Sequence, residues 1–309
     1  MKIIAPDYYL QFRCIADKCR HSCCNGWEID IDPDTRERYR HVPGEFGKRL
    51  NASIEDGEVS SFRLGEGERC PMLNRSGLCD LITELGEENL CQICADHPRF
   101  RNYFADRTEI GLGLCCEEAA RLILSQEEPM ALITLDNDGE DAVLPEDESA
   151  LLALRAELIA LLQDSSHPIE KRLDALLDAV DFAIPDRDWR EVYRTLERLD
   201  PAWDAMLDRL APSVTAAAPR GLSDRALDAF GHFAVYMLYR HLPGALDDDD
   251  IPGRVAFCVL STRVLMALCT AKEGCTMADL LDYARMYSAE IEYSEDNIAT
   301  LLDALWEEE

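Results

Sequence analysis

Thirteen cysteines stand in this chain, and ten of them fall between Cys14 and Cys116. They come in groups: Cys14-x4-Cys19-x3-Cys23-Cys24, then Cys70-x8-Cys79, then Cys91-x2-Cys94 followed by His97-Pro98-Arg99, and finally Cys115-Cys116. Thiolates bind soft or borderline metals, and four of them complete a tetrahedral zinc site or ligate an iron–sulfur cubane. Ten clustered thiols are enough for one such site with some to spare, or for two. Neighbours such as Cys23 and Cys24 project in different directions, so one of each pair is expected at the metal and the other in the core or at a second site. Two spacings that would narrow the choice are missing. There is no pair of Cys-x2-Cys pairs of the zinc-ribbon kind. Nor is there a Cys-x3-Cys-x2-Cys run, because Gly26 takes the place of a third cysteine after Cys19 and Cys23. The remaining three, Cys258, Cys269 and Cys275, lie far downstream. Cys258 and Cys269 fall in an apolar helical pattern without nearby partners, where cysteine packs as a small hydrophobe.

The segment from Cys14 to Asp32, with Cys19, Cys23-Cys24, Gly26-Trp27 and a run of alternating acids, resembles the opening of the flagellin lysine-N-methylase family, which is related to a broader group of zinc- or iron-chelating proteins. The family pattern continues through a Cys-Pro segment, a cysteine nine residues on, a Cys-x3-Pro-Arg element and a last cysteine before a helix. Cys70-Pro71, Cys79, Cys94 with Pro98-Arg99, and Cys116 match these. Eight positions therefore match: Cys14, Cys19, Cys23, Cys24, Cys70, Cys79, Cys94 and Cys116. Cys91 and Cys115 stand as additions. The resemblance covers about the first 120 residues closely and is weaker beyond, where Tyr239-Arg240 and Ile291-Glu292 to Asn297 are similar to the family's later elements.

The resemblance implies transfer of a methyl group from S-adenosylmethionine to lysine ε-amines of flagellin, and one or two metal sites whose ligands come from the eight matched cysteines. Together with the clustered thiols it leads to the expectation of a [4Fe–4S] cluster, with zinc as the alternative. Trp27 and Arg99 are then the candidates for binding S-adenosylmethionine. Trp27 stacks on its adenine or lines a lysine pocket, or else shields the metal from water. Arg99 forks onto the carboxylate of S-adenosylmethionine, or donates to metal-bound sulfur. The histidines beside the cysteines, His21 and His97, read as loop residues rather than ligands, and Tyr8 and Tyr9 as aromatic anchors of the amino terminus. Methyl transfer to lysine requires a neutral amine placed in line with the sulfonium and a group to take its proton. With 61 acidic residues, no catalytic base can be singled out.

These residues need a scaffold. Residues 1–125 are rich in turn formers, among them Pro33-Asp34, Pro43-Gly44, Asp56-Gly57 and Ser76-Gly77. The expectation is a loop-rich, Cys-rich metal-binding domain with short helices over 34–40 and 117–124, held together by its metal because binding energy becomes folding energy. Residues 126–146 read as a connector carrying a small hairpin, with apolar runs at 131–135 and 142–144 around Gly139. Residues 147–309 read as an α-helical domain. Leu151, Leu152, Leu154, Leu158, Ile159 and Leu162 recur at helical steps. Helices are expected after Pro145 and Pro168, from Ser223 to His241, and over Arg254–Thr270, with Thr276 and Ser294 capping the last two. The fold class is thus mostly α. No glycine-rich loop follows a strand, which disfavours a doubly wound nucleotide-binding domain.

Charge excludes more than it selects. With 31 Lys and Arg against 61 Asp and Glu, the formal net charge is −30. A nucleic-acid partner is not expected, because phosphates demand a basic face. Hydrophobic residues at 47% suffice for a sizeable core, so the chain is not a disordered polyelectrolyte. No run is expected to span a membrane, since the best, Val255 to Ala271, is interrupted by Arg263. The amino terminus does not read as a secretory signal, which leads to the expectation of a cytoplasmic protein. Two functional readings stand: a cluster-containing protein-lysine N-methyltransferase acting on flagellin, and a non-catalytic iron- or zinc-binding module that stores, carries or senses metal.

Overall fold

A computed structural model of the chain describes residues 2–26, 28–137, 142–214 and 221–307. The fold is mostly α, with some sheet. The chain divides into two compact units: Arg13–Arg99, and a second formed by Met1–Phe12 together with Phe100–Glu309. The expected boundary at 125 therefore falls inside the second unit, and the first twelve residues belong with the helical half.

In chain order the strands are β1 (Lys2–Pro6), β2 (Asp30–Ile31), β3 (Ile54–Glu55), β4 (Ser60–Phe62), β5 (Arg99–Tyr103), β6 (Arg107–Leu112) and β7 (Leu132–Asn137). The larger sheet runs β5-β6-β1-β7. β1 pairs parallel to β6, Lys2 opposite Arg107, and antiparallel to β7, Pro6 opposite Leu132. The expected hairpin over 126–146 is thus corrected: β7 forms, but its partner is β1. Residues 142–144 carry no strand, and 138–141 lie outside the described residues.

Behind this sheet the helices follow the sequence signals closely. Ser223 Oγ accepts from Ala226 N and starts the helix Asp224–His241. Thr276 and Asp279 form a reciprocal capping box before Met277–Tyr287, and Ser294 caps Glu295–Trp306. Glu146–Gln163 and Ile169–Ala179 begin after Pro145 and Pro168, as the fixed proline φ favours. Ile251–Ala271 is long and apolar enough by composition to cross a membrane. Here it is the central core helix, buried from Val255 to Cys269, and Arg263 reaches Asp174 Oδ1 at 2.8 Å. One apolar core joins these helices to Tyr8 and Phe12.

The unit 13–99 has its own smaller core: Ile29, Ile31, Tyr39, Leu50, Ile54, Phe62, Met72, Leu81 and, among them, Cys70 and Cys91. Its sheet runs β2-β4-β3. The helices Pro33–Arg40 and Gly44–Ala52 pack beside it.

Candidate metal centre and a buried charged network

Asp32 organises the smaller unit. Its Oδ1 accepts from Thr35 N at 3.0 Å and caps the helix Pro33–Arg40, while its Oδ2 accepts from Gln92 N at 2.8 Å and fixes the start of the short helix Gln92–Asp96. That helix opens with Cys91 and carries Cys94. The loop 69–80 is held by its own polar groups. Asn74 Oδ1 accepts from Ser76 N and Leu78 N, its amide donates to Asp80 Oδ1, and Arg69 donates to the carbonyls of Leu73 and Asn74. Cys70 N donates to the Cys24 carbonyl at 2.8 Å, and Cys79 is the N-cap residue of the helix Asp80–Leu85. Tyr39 shares this core near Cys79, Cys91 and Cys94, its hydroxyl donating to the Asn89 carbonyl at 2.8 Å.

The result is a gathering of Cys24, Cys70, Cys79, Cys91 and Cys94 in one core, close enough that charge on one raises the pKa of others. Burial pushes the Cys70 thiol up to about 12, with Cys24, Cys79 and Cys91 adding to the rise, and burial also lifts Cys79. Cys94 donates to Cys91, which lowers Cys91 and raises Cys94. A hydrogen bond from Cys23, joined by Ser22 and Arg69, brings Cys24 down to about 7 against the opposing effect of burial. Without a cation, only part of this group can be thiolate at once. Soft-metal chemistry fits the donor set, because a bound cation removes the mutual penalty and displaces the protons. Among the described residues, no three His, Cys, Asp or Glu side chains are arranged to hold a metal ion.

Of the eight matched cysteines, the structure brings together Cys24, Cys70, Cys79 and Cys94. Cys14 is exposed, its sulfur accepting from Ala16 N; Cys19 is half-buried and donates to the His21 carbonyl; Cys23 is exposed beside Cys24. Cys116 belongs to the other unit, where it precedes the helix Glu117–Leu124 and packs on that unit's core. Trp27 lies outside the described residues. Arg99 is half-buried, with its guanidinium donating to the Ala95 carbonyl at 3.1 Å. Cys91, read as an addition, is fully buried among the gathered thiols. Its Cys-x2-Cys spacing to Cys94 was the available signal.

The larger unit holds a second concentration of chemistry. Glu292 is buried at the end of a π-helical turn, Ser288–Glu292. Its Oε2 accepts from the Tyr236 hydroxyl at 2.8 Å and lies 2.7 Å from His241 Nε2 and 3.4 Å from Arg240. Among the described residues, its Oε1 has no hydrogen-bond partner. Burial pushes this carboxyl up, but Arg240, His241 and Tyr236 outweigh it and hold the pKa at about 2. The Tyr236 hydroxyl accepts from Arg240 at 2.8 Å and from Leu114 N at 3.3 Å, which ties the network to the Cys115-Cys116 turn. Arg240 stacks between the rings of Phe100 and Tyr293, at 5.0 and 4.8 Å. Cys115 hydrogen-bonds Tyr293, and burial carries its thiol up to about 12. Sequence reasoning marked Arg240 and Glu292 only as part of similar elements. The signal for their pairing is Tyr236-x3-Arg240-His241, polar groups one turn apart at the end of an apolar helix.

The chain is 25% identical over 228 residues to the lysine-N-methylase of Salmonella typhimurium, covering 69% of this chain and 55% of that protein, and equally to the lysine-N-methylase of Salmonella choleraesuis. It is 27% identical over 141 residues to the flagellar biosynthetic protein FliU of Salmonella muenchen, 42% of this chain and 81% of that protein. The chain spans about half the length of the lysine-N-methylases it matches. No protein-family model matches it, and no solved structure does. These similarities relate the chain to the flagellin lysine-N-methylase family.

Proposed function

We propose that the chain is an S-adenosylmethionine-dependent protein-lysine N-methyltransferase acting on flagellin, with a [4Fe–4S] cluster in its Cys-rich unit. The observation that carries the activity is the similarity to lysine-N-methylases over 69% of the chain. The presence of Cys24, Cys70, Cys79 and Cys94 in one small core is what supports the metal, and its ligands are proposed to be drawn from them. When bound, the cluster supplies a covalent cross-link of the loops around it. In the transfer itself the lysine nitrogen lone pair forms the new N–C bond, the C–S bond breaks, and its electron pair returns sulfur to a thioether while the amine gives up a proton. Arg99 is the proposed partner of the S-adenosylmethionine carboxylate, through the forked geometry that guanidinium offers. Trp27 is proposed either to shield the metal from water or to stack on the adenine or line a lysine pocket.

The test uses anaerobically prepared, metal-loaded protein. Calorimetry with S-adenosylmethionine is expected to show saturable binding, and methyl-labelled cofactor is expected to transfer label to flagellin lysines. Metal-loaded protein that neither binds the cofactor nor labels flagellin overturns the enzyme reading and leaves the metal-binding module. The metal is tested separately: a brown protein with iron and sulfide in equal amounts is expected, and a colourless one holding stoichiometric zinc overturns the cluster.

A further inference from the structure

We propose that the buried carboxylate of Glu292 is the binding group for a primary ammonium, the side chain of the lysine to be methylated, with Ser288 one turn before it and Tyr293 directly after it completing the site. This deepens the lysine-N-methyltransferase reading and rests on it. Three observations carry it. The Glu292 side chain is fully buried, yet among the described residues its Oε1 has no hydrogen-bond partner. A buried acceptor left unpaired is costly, and more so when charged, so this oxygen calls for a donor. Its Oε2, by contrast, is held by Tyr236 at 2.8 Å and His241 at 2.7 Å, with Arg240 at 3.4 Å, which keeps Oε1 presented in one place. Second, Ser288 is buried and its Oγ is also without a partner among the described residues. Both residues belong to the π-helical turn Ser288–Glu292, between the helices Met277–Tyr287 and Glu295–Trp306. Such turns are rare and are frequent at functional sites. Third, the network comes to the surface beside Glu292. Tyr293 is 49% exposed, and its ring lies 4.8 Å from the Arg240 guanidinium.

The chemistry of these groups selects a cation. Both open oxygens accept hydrogen bonds, one of them carries a full negative charge, and the exposed neighbour is an aromatic ring, whose face attracts cations. A lysine ε-ammonium brings three donors on a flexible four-carbon stem, so it can reach inward from the surface. Its ordinary pKa near 10.4 means that it arrives charged. Arg240, on the far side of the same carboxylate, is a like charge that favours the neutral amine once bound, which is the form that methyl transfer requires. The proton so released passes to solvent.

The experiment uses the full chain, anaerobically prepared, with n-butylammonium chloride as the probe for a lysine side chain and n-butanol as its uncharged counterpart. Binding of both is followed by ligand-observed NMR at constant ionic strength, and KM and kcat for flagellin are measured in wild type, Glu292→Gln, Ser288→Ala and Tyr293→Ala. Wild type should bind butylammonium saturably and butanol not at all, and butylammonium should compete with flagellin. Ser288→Ala removes one acceptor from a charged donor and should weaken butylammonium about tenfold. Tyr293→Ala should weaken it about 2–5-fold, as loss of an exposed cation–π contact does. In both, KM for flagellin should rise with kcat little changed. Glu292→Gln should abolish butylammonium binding; if that variant does not fold, the other two, which leave the Glu292–Arg240 pair intact, decide the result. Folded Ser288→Ala and Tyr293→Ala proteins with unchanged butylammonium affinity and unchanged KM would show that the open oxygen holds a buried water only, and would overturn the assignment. Wild type that binds S-adenosylmethionine and labels flagellin but ignores butylammonium overturns this inference alone. Protein that neither binds the cofactor nor labels flagellin overturns the enzyme reading and this assignment with it.

Discussion

The carboxylate of Glu292 and the imidazole of His241 meet at 2.7 Å in the interior of the larger unit, and the same carboxylate oxygen receives Tyr236 and faces Arg240. One oxygen thus serves three partners while the other has none among the described residues. A buried carboxylate is tolerable here because Arg240 lies beside it, and Arg240 is tolerable because two aromatic rings and Glu292 replace its water.

This predicts a large asymmetry between single and paired changes. Glu292→Gln keeps the shape but leaves Arg240 buried without its counter-charge, and is expected to cost about 3–5 kcal/mol in denaturant unfolding. Arg240→Gln should cost a comparable amount. The double variant should cost much less than the sum, with a coupling of about 0.5–3 kcal/mol. Additive single effects would show that the pair does not act as a unit.

Burial lowers three histidines, His97 to about 4 and His232 and His241 below their usual 6.5. The folded state therefore resists protonating groups that the unfolded chain protonates freely. Between pH 6.5 and 5.5 the unfolded state binds more protons, so stability must fall as pH falls. Each histidine contributes at most about 1.4 kcal/mol per pH unit, and less where partly solvated. Unfolding free energies from urea titrations at pH 6.5, 6.0 and 5.5 should decrease in that order. A flat or rising series would mean that these rings are protonated in the native protein.

Cys258 and Cys94 should part company. Cys258 is buried in the apolar helix Ile251–Ala271, where the neighbouring Ser261 and Thr262 each donate to the carbonyl four residues back, at 2.7 and 2.8 Å. A serine at 258 can do the same, so Cys258→Ser is expected to cost only about 1 kcal/mol with metal content unchanged. Cys94→Ser removes a donor from the gathered thiols and should lower both metal content and stability. Metal content that falls equally in the two variants would show that the loss reflects general unfolding.

The helices were legible because their signals are local. Ser223, Thr276 and Ser294 cap where hydroxyls before apolar periodicity should, and Pro145 and Pro168 precede helices because their fixed φ suits a helix start. The larger sheet was not legible. β1 meets β6 across a hundred residues in parallel, and β7 turns to β1 rather than to the nearby run at 142–144, so no turn residue announces either pairing. Cys269 read as partnerless, yet it lies near enough to Cys275, across the loop that ends the long helix, for Cys275 to raise its pKa. The candidate site divides the same way. The types and spacing of the cysteines led to the expectation of a metal centre, but which thiols share a core depends on Asp32 and Tyr39 folding one segment over another. That is how Cys91 came in and Cys116 fell in the other unit.

The acidic surplus gives the last prediction. A lysine-modifying enzyme must attract cationic side chains, and a net charge of −30 provides a long-range field that raises encounter rates with a basic surface. Exposed acids also serve solubility, so the two roles must be separated by kinetics. Steering weakens as the Debye length contracts from about 10 Å at 0.1 M salt to about 3 Å at 1 M. On the proposed activity, the second-order rate constant for methylating flagellin should therefore fall across that range, while turnover at saturating flagellin changes little, because encounter no longer limits it. The buried network of Glu292 and Arg240 lies beyond the reach of mobile ions, so the fold should persist through the titration, as circular dichroism would verify. A rate constant that stays flat or rises, in protein that remains folded, would mean that the acids take no part in capturing the substrate.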